Sequence, residues 1–255
     1  MFYKIKNIIL RDGFFTFLRS IPRHVLSLRK RNRYRAMLKQ NDIEAKFSNI
    51  FEYNLWGSTE SKSGTGSELN YTENLRKWLI DFCVRAEIKT IVDAPCGDFN
   101  WMRQVLPILQ VRYQGFDIVE AIVQHNSKHF GTESITFSQA NICEDKLPAC
   151  DLLIVRDCLF HLSYKDIQLF LKNIGTCDYK FLLTTTHKIS DDLGNRDIVT
   201  GDFREIDLFQ APFYFSKDKV IEEVNETPGK NEIPRKMILI AKHDVPETIH
   251  DPALF

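Results

Sequence analysis

From about position 70 onward, short apolar runs alternate with longer stretches whose apolar residues recur every three or four positions. Lys89–Asp93, Tyr113–Asp117, Ile135–Ser138, Asp151–Val155 and Phe181–Thr186 are compact, apolar and bounded by polar or turn-forming residues, and they predict buried strands. Between them, Leu75–Val84, Phe99–Leu109, Val119–Phe130 and Tyr164–Ile174 carry the helical period. Two further strands are predicted near Lys219–Val224 and Lys236–Ala241, and the lack of a long helical pattern between them makes them a hairpin. Repeated strand–helix units with apolar strands mean a parallel sheet covered by helices on both faces. The expected fold is α/β: a three-layer sandwich around a seven-stranded, mostly parallel sheet whose last strand is antiparallel.

The first 45 residues read differently. Phe2, Ile5, Ile8, Ile9, Phe14, Phe15, Phe17 and Leu18 are interleaved with basic residues, and Gly13 and Pro22 break the segment into short helices. Residues 1–40 hold eleven Lys and Arg against one acid, Asp12, of the 34 basic and 34 acidic residues in the chain, which leaves the remainder with 23 and 33. A net charge of zero therefore hides a basic amphipathic extension (1–45) on an acidic body (46–244), with a tail at 245–255. Such an extension suits peripheral contact with an anionic bilayer, packing on the body or on a second copy in a homodimer, or phosphate binding. The acidic body argues against nucleic acid as a partner, because a nucleic-acid face normally extends across the catalytic mouth. Six cysteines without C-x-x-C spacing predict free thiols in a reducing compartment and no metal site. Apolar runs fall short of the roughly 18–20 residues of a membrane span. A cytoplasmic location, at most at the inner face of the membrane, is expected.

The chemistry collects at the strand ends, where open parallel sheets hold their ligands. The first strand runs into Asp93-Ala94-Pro95-Cys96-Gly97-Asp98, followed by Trp101. This turn has one glycine and a carboxylate on either side, unlike a pyrophosphate-binding turn, and it suits a cationic ligand. The second strand ends in Asp117-Ile118, 20 residues after Gly97, where a carboxylate can hold both ribose hydroxyls. Asn141 and Ile142 follow the third strand, Arg156 and Asp157 the fourth with His161 close behind, and His187 the fifth. Upstream, residues 46–72 form a Gly/Ser/Thr-rich loop with one large aromatic anchor. Its Trp56, Ser58, Glu60, Ser61, Ser63, Gly64 and Gly66 predict a lid.

Across roughly residues 70–243 the chain resembles the class I (Rossmann-like) methyltransferases that use S-adenosyl-L-methionine (SAM), through Ile91–Gly97, Gly115–Asp117, Ala140–Ile142 and Asp151–Leu162. The resemblance implies SAM as cofactor, with Asp93 to Asp98 around its methionine part, Asp117 on the ribose, and Asn141 and Ile142 beside the adenine. The single-glycine turn departs from the glycine-rich loop of that family. Trp56–Ser67 together with Arg204–Phe213 is similar to a bacterial subgroup associated with capsule and other surface polysaccharides.

Methyl transfer to a hydroxyl needs alignment and removal of a proton. His161, His187 and Asp157 are the candidate catalytic groups, with His161 favoured as base. Arg156, Arg196 and Arg204 are candidates to hold an anionic acceptor, for which no base is needed. The insert at 188–212 is expected to shape the acceptor pocket. The expected activity is O-methylation of a sugar, nucleotide sugar or phosphoryl group. No Asn/Asp-Pro-Pro-Tyr/Phe segment is present to support methylation of nucleic-acid amino groups. RNA methylation and a non-catalytic SAM-binding role are the alternatives.

Overall fold

The computed structural model describes residues 32–189, 194–226 and 234–250, so most of the basic extension, part of the 188–212 insert and the end of the tail lie outside the described residues. The chain divides at 41/42 into two units. Of the smaller, residues 32–38 are helical. The larger begins with α1 (Ile43–Glu52), which runs through position 45 and is capped by Asp42, whose carboxylate accepts from the Glu44 amide at 3.0 Å.

The elements then follow as α2 (Glu73–Arg85), β1 (Thr90–Asp93), β2 (Arg112–Asp117), α3 (Glu120–Phe130), β3 (Ile135–Gln139), β4 (Cys150–Val155), α4 (Tyr164–Thr176), β5 (Tyr179–His187), β6 (Val220–Asn225) and β7 (Arg235–Ala241). One seven-stranded sheet has the order β3-β2-β1-β4-β5-β7-β6. The last strand, β7, is antiparallel to both β5 and β6, and it lies between them. The remaining pairings are parallel, so the predicted class holds.

Each strand feeds two cores because its side chains alternate across the sheet. Val92, Leu153, Val155, Leu182, Ile238 and Ile240 face one way, onto Phe170, Leu171 and Ile174 of α4. Ile91, Leu152, Ile154, Leu183, Met237 and Leu239 face the other, onto Leu75, Leu79 and Phe82 of α2. Strands buried on both faces explain why they read as apolar runs and not as alternating ones.

One predicted element is absent. The expected helix over Phe99–Leu109 is a series of turns with a single 3₁₀ turn at Met102–Gln104. Phe99 has φ 61°, outside the right-handed helical region, and Pro107 has no N–H to continue a helix that would pass through it. No described helix is long and apolar enough to cross a membrane.

Candidate functional site

Because β1, β2 and β4 are parallel and adjacent, their carboxyl ends open onto one cavity. Its polar lining includes Asp93, Asp117, Asn141, Arg156 and Asp157, and Ile118, Ile122, Ala140, Ile142 and Leu162 form an apolar slot beside Asp117. Pro95, Cys96, Gly97 and Trp101 of the turn and Ile43, Phe47, Phe51 and Trp56 from upstream also line the cavity.

The turn after β1 works without a helix terminus. Its amides are engaged inside the protein: Cys96 N–H donates to Phe116 O at 2.8 Å, Gly97 N–H to Asp117 Oδ2 at 3.0 Å and Asp98 N–H to Ser63 Oγ at 2.8 Å. The N–H groups of this turn are therefore already taken and are not aimed at a ligand. Gly97 has φ +56°, and a Cβ there would stand 2.4 Å from Ser63 Oγ, so the position takes glycine for both conformation and space.

Asp93 and Asp117 are 2% and 5% exposed. Tyr113 OH donates to Asp93 Oδ2 at 2.8 Å, and the Gly97 and Val119 amides hold one oxygen each of Asp117. Burial pushes Asp93 up to about 7, against the opposing pull of Tyr113 and Arg156. Burial likewise raises Asp117 to about 6, against those amide hydrogen bonds. Two acids in one cavity thus carry more negative charge than their surroundings comfortably hold, which is the electrostatic signature of a site for a cation and for hydroxyl donors.

A ligand that requires both carboxylates ionised is linked to protons. Binding must release protons below about pH 7, so affinity is expected to rise with pH through the 6–7 interval and level off above it. Calorimetry at pH 6 in buffers of different ionisation enthalpy checks this, and it should read proton release that disappears by pH 8.

The loop predicted as a lid is hydrogen-bonded onto the turn. Ser61 Oγ donates to the Asp98 carboxylate at 3.0 Å and the Lys62 amide donates to it at 2.8 Å. Asn100 Nδ2 donates to Glu60 Oε1 at 2.7 Å and to Ser67 O at 3.0 Å, and Ser58 Oγ donates to Glu68 at 2.8 Å. Asp98, placed in the sequence reading beside the cofactor, instead anchors the lid and is not part of the cavity lining. Gly64 has φ +99° and packs against the side chain of Trp56.

Trp56 stacks on His161, with ring centroids 5.3 Å apart and planes at 28°, and its buried indole Nε1 has no hydrogen-bond partner. His161 lies behind that tryptophan, outside the cavity lining. Its Nδ1 is 2.8 Å from Asp202 O. A carbonyl only accepts, so Nδ1 carries the proton and Nε2 keeps a lone pair. Burial pulls His161 down to about 4.

His187 serves the fold. Its backbone N–H donates to Ile206 O at 2.7 Å, its Nδ1 accepts from the Ile206 amide at 3.2 Å, and burial lowers it to about 4. It ties β5 to the insert.

Arg156 and Asp157 belong to a buried four-charge cluster that the sequence did not reveal. Arg156 donates to Glu226 Oε1 at 2.8 Å and to Gly66 O at 2.6 Å, and lies 3.1 Å from Asp157 Oδ2. Arg235 reaches Asp157 Oδ2 at 2.6 Å and Glu226 Oε2 at 3.0 Å. Burial opposes ionisation of Asp157, but the two guanidiniums outweigh it and hold its carboxyl below the usual carboxylate range. Glu226 and Arg235 stand at the two ends of the β6–β7 connection, far in sequence from every strand end considered.

The arginines predicted to grip an anion are otherwise placed. Arg204 is 1% exposed, donates to Leu162 O and Leu159 O and lies over the Tyr164 ring, so it is a core residue. Arg196 is exposed and apart from the cavity lining. Within the insert expected to shape the acceptor pocket, Asp191 and Asp192 lie outside the described residues, and Asn195 braces Asp207 and Ala211. The six cysteines are free thiols, and no described cluster of His, Cys, Asp and Glu could hold a metal.

No protein-family model and no curated protein matches the chain. Solved structures do. A SAM-dependent methyltransferase from Leishmania major superposes with a TM-score of 0.55 at 14% identity, over 83% of this chain and 90% of that one. Magnesium protoporphyrin IX methyltransferase from Synechocystis PCC 6803, with bound SAM, gives 0.54 at 10% identity, over 80% and 98%. Human N-acetylserotonin methyltransferase in complex with SAM gives 0.50 at 16% identity; 78% of this chain matches, and it spans only 56% of that protein's length. At these identities the likeness establishes the fold, that of the SAM-dependent methyltransferases.

Proposed function

We propose that the protein is a SAM-dependent O-methyltransferase acting on a sugar hydroxyl, in a free glycan or a nucleotide sugar of surface-polysaccharide assembly. The observation that carries the cofactor assignment is the pair of buried carboxylates, Asp93 and Asp117, on adjacent strand ends in one cavity. The donor set fits SAM. Asp93 suits its ammonium, Asp117 its ribose hydroxyls, and the slot of Ile118, Ile122, Ile142 and Leu162 an adenine, with Asn141 at the slot's polar edge. The orphaned Nε1 of Trp56, a lining residue, is a spare donor. That the solved neighbours were crystallised with SAM supports the same reading.

Bound SAM supplies a methyl group on a sulfonium, open to in-line displacement. The chain's own residues do the rest. The lid and the α1 aromatics Phe47 and Phe51 exclude water from the cavity. His161, neutral at pH 7 with its lone pair on Nε2, is the base of this reading: it lies behind Trp56, so the acceptor's proton reaches Nε2 only once that stacked indole shifts, as the oxygen–carbon bond forms. The guanidiniums of Arg156 and Arg204 are already engaged, which favours a neutral hydroxyl over the phosphoryl acceptor. The polysaccharide setting rests on the sequence likeness of Trp56–Ser67 and Arg204–Phe213.

Incubation with methyl-tritiated SAM and a panel of nucleotide sugars, oligosaccharides and RNA tests the proposal. Label on a sugar oxygen is expected; label on RNA overturns the acceptor class. With the acceptor so found, His161→Ala should lower kcat by about 100-fold, within the usual range for a lost general base, and leave SAM affinity within about threefold. An unchanged kcat removes His161 as base.

A further inference from the structure

Four charges meet beneath the lid, and only two of them touch the cavity. Arg156 and Asp157 line it; Glu226 and Arg235 do not. The side chains of Arg156 and Glu226 are 3% and 0% exposed, those of Asp157 and Arg235 18% and 11%. Burial raises the Glu226 carboxyl above its usual range, but both of its oxygens are taken, one by each arginine, and with it ionised two positive and two negative groups balance. The aromatic faces of Trp101, 5.6 Å from Arg156, and Tyr71, 4.4 Å from Arg235, complete the enclosure.

A buried ion cluster is a poor source of stability, because desolvation offsets most of the attraction, so its retention calls for another role. The cavity supplies one. A ligand with a cationic sulfur feels the net charge of this wall, whereas its demethylated product, S-adenosylhomocysteine (SAH), is neutral at sulfur. Among the described residues Arg156 is the only arginine in the cavity lining, and its guanidinium is held by Glu226 and the Gly66 carbonyl.

Resting on the SAM assignment above, we propose that Glu226 and Arg235 are positioning residues that act through Arg156 and Asp157 to keep the cavity wall electrically neutral, and thereby set the preference between SAM and SAH. Glu226 holds the Arg156 charge back; Arg235 holds back that of Asp157. Neither touches the ligand. Both determine how cationic the wall is when the sulfonium arrives and how readily the neutral product is let go.

The two residues must then act in opposite directions. Glu226→Gln leaves the cluster one unit more positive, and Arg235→Gln one unit more negative. In a partly buried site with an effective dielectric near 20, one unit of charge at such a wall shifts the affinity of a monocation about tenfold. The experiment is calorimetric titration of the full-length protein and its variants with SAM and with SAH, read as the ratio of the two affinities. Within each variant this ratio cancels any loss of binding-competent protein. Glu226→Gln should lower the SAM:SAH ratio about tenfold and Arg235→Gln should raise it about tenfold. The double variant should return close to the wild-type ratio, although both affinities fall.

If Arg235→Gln does not fold, Arg235→Met makes the same charge change; if Glu226→Gln does not fold, Asp157→Asn replaces it. That change also adds a unit of positive charge, and it must move the ratio in the direction of Glu226→Gln. A cluster that only braces the fold would weaken both ligands alike, and ratios that stay level or move together overturn the proposal. Wild-type protein that binds neither ligand overturns the SAM assignment itself, whereas wild-type binding with inert ratios overturns the neutralising role alone.

Discussion

Asp117→Ala is expected to weaken SAM binding by about 100-fold or more. The carboxylate is placed to accept two ribose hydroxyls, and a hydrogen bond to a charged group is worth about 1.5–3 kcal/mol. The same oxygens also receive the Gly97 and Val119 amides, so alanine releases the turn that shapes the cavity as well as the ligand. Asp117→Asn separates the two effects. Its carbonyl keeps one acceptor for the turn, and its amide cannot accept from a second hydroxyl. Binding should fall for both variants, and the loss of thermal stability should be the larger for alanine. Equilibrium titration with SAM together with thermal unfolding reads both; unchanged SAM affinity in either variant removes Asp117 from the ribose site.

The second large effect is expected at Gly66. A Cβ there would lie 1.9 Å from Arg235 Nη2 and 2.7 Å from Asp157 Oδ2, inside a charge cluster with no slack. The Gly66 carbonyl is also the lid's bond to Arg156, at 2.6 Å. Gly66→Ala must therefore push the lid away or part the Asp157–Arg235 pair, and breaking a buried ion pair costs about 3–5 kcal/mol. Chemical denaturation should record a loss of that order, accompanied by weaker SAM binding. Gly175→Ala is the control. That glycine lies near the end of α4 with nothing within 4 Å of an added Cβ, and alanine there should be neutral or add up to about 1 kcal/mol. Equal effects at the two glycines would contradict the packing described for the lid.

The parts of this protein legible in its sequence are those set by local pattern. Strands buried on both faces must be apolar along their length, so β1, β2, β4 and β5 could be located to within a few residues, and the acids at their carboxyl ends, Asp93 and Asp117, fall at one cavity because parallel strands bring those ends together. What the pattern could not convey is conformation and burial at single positions. Phe99 reads as the start of an apolar helix, and nothing in its side chain announces a positive φ. The Pro107 signal was present and outweighed by the apolar spacing around it. Arg204 looks like a surface cation until the carbonyls of Leu159 and Leu162 are seen to enclose it. Asp98 looks like a ligand group because it follows the turn, yet the lid carries the donors that reach it. Glu226 and Arg235 were out of reach altogether. Glu226 meets Arg156, and Arg235 meets Asp157, only after the β6–β7 hairpin is laid beside β5, and no local spacing encodes a contact across that distance.

The central claim is that the cavity formed by Asp93, Asp117 and the apolar slot is a SAM site. Calorimetric titration of the purified full-length protein with SAM, and in parallel with NADH, tests it most directly. The account predicts saturable binding of SAM, tighter at pH 8 than at pH 6, and none of NADH, whose pyrophosphate would face two buried carboxylates. Binding of NADH, or no binding of SAM at either pH, would contradict it.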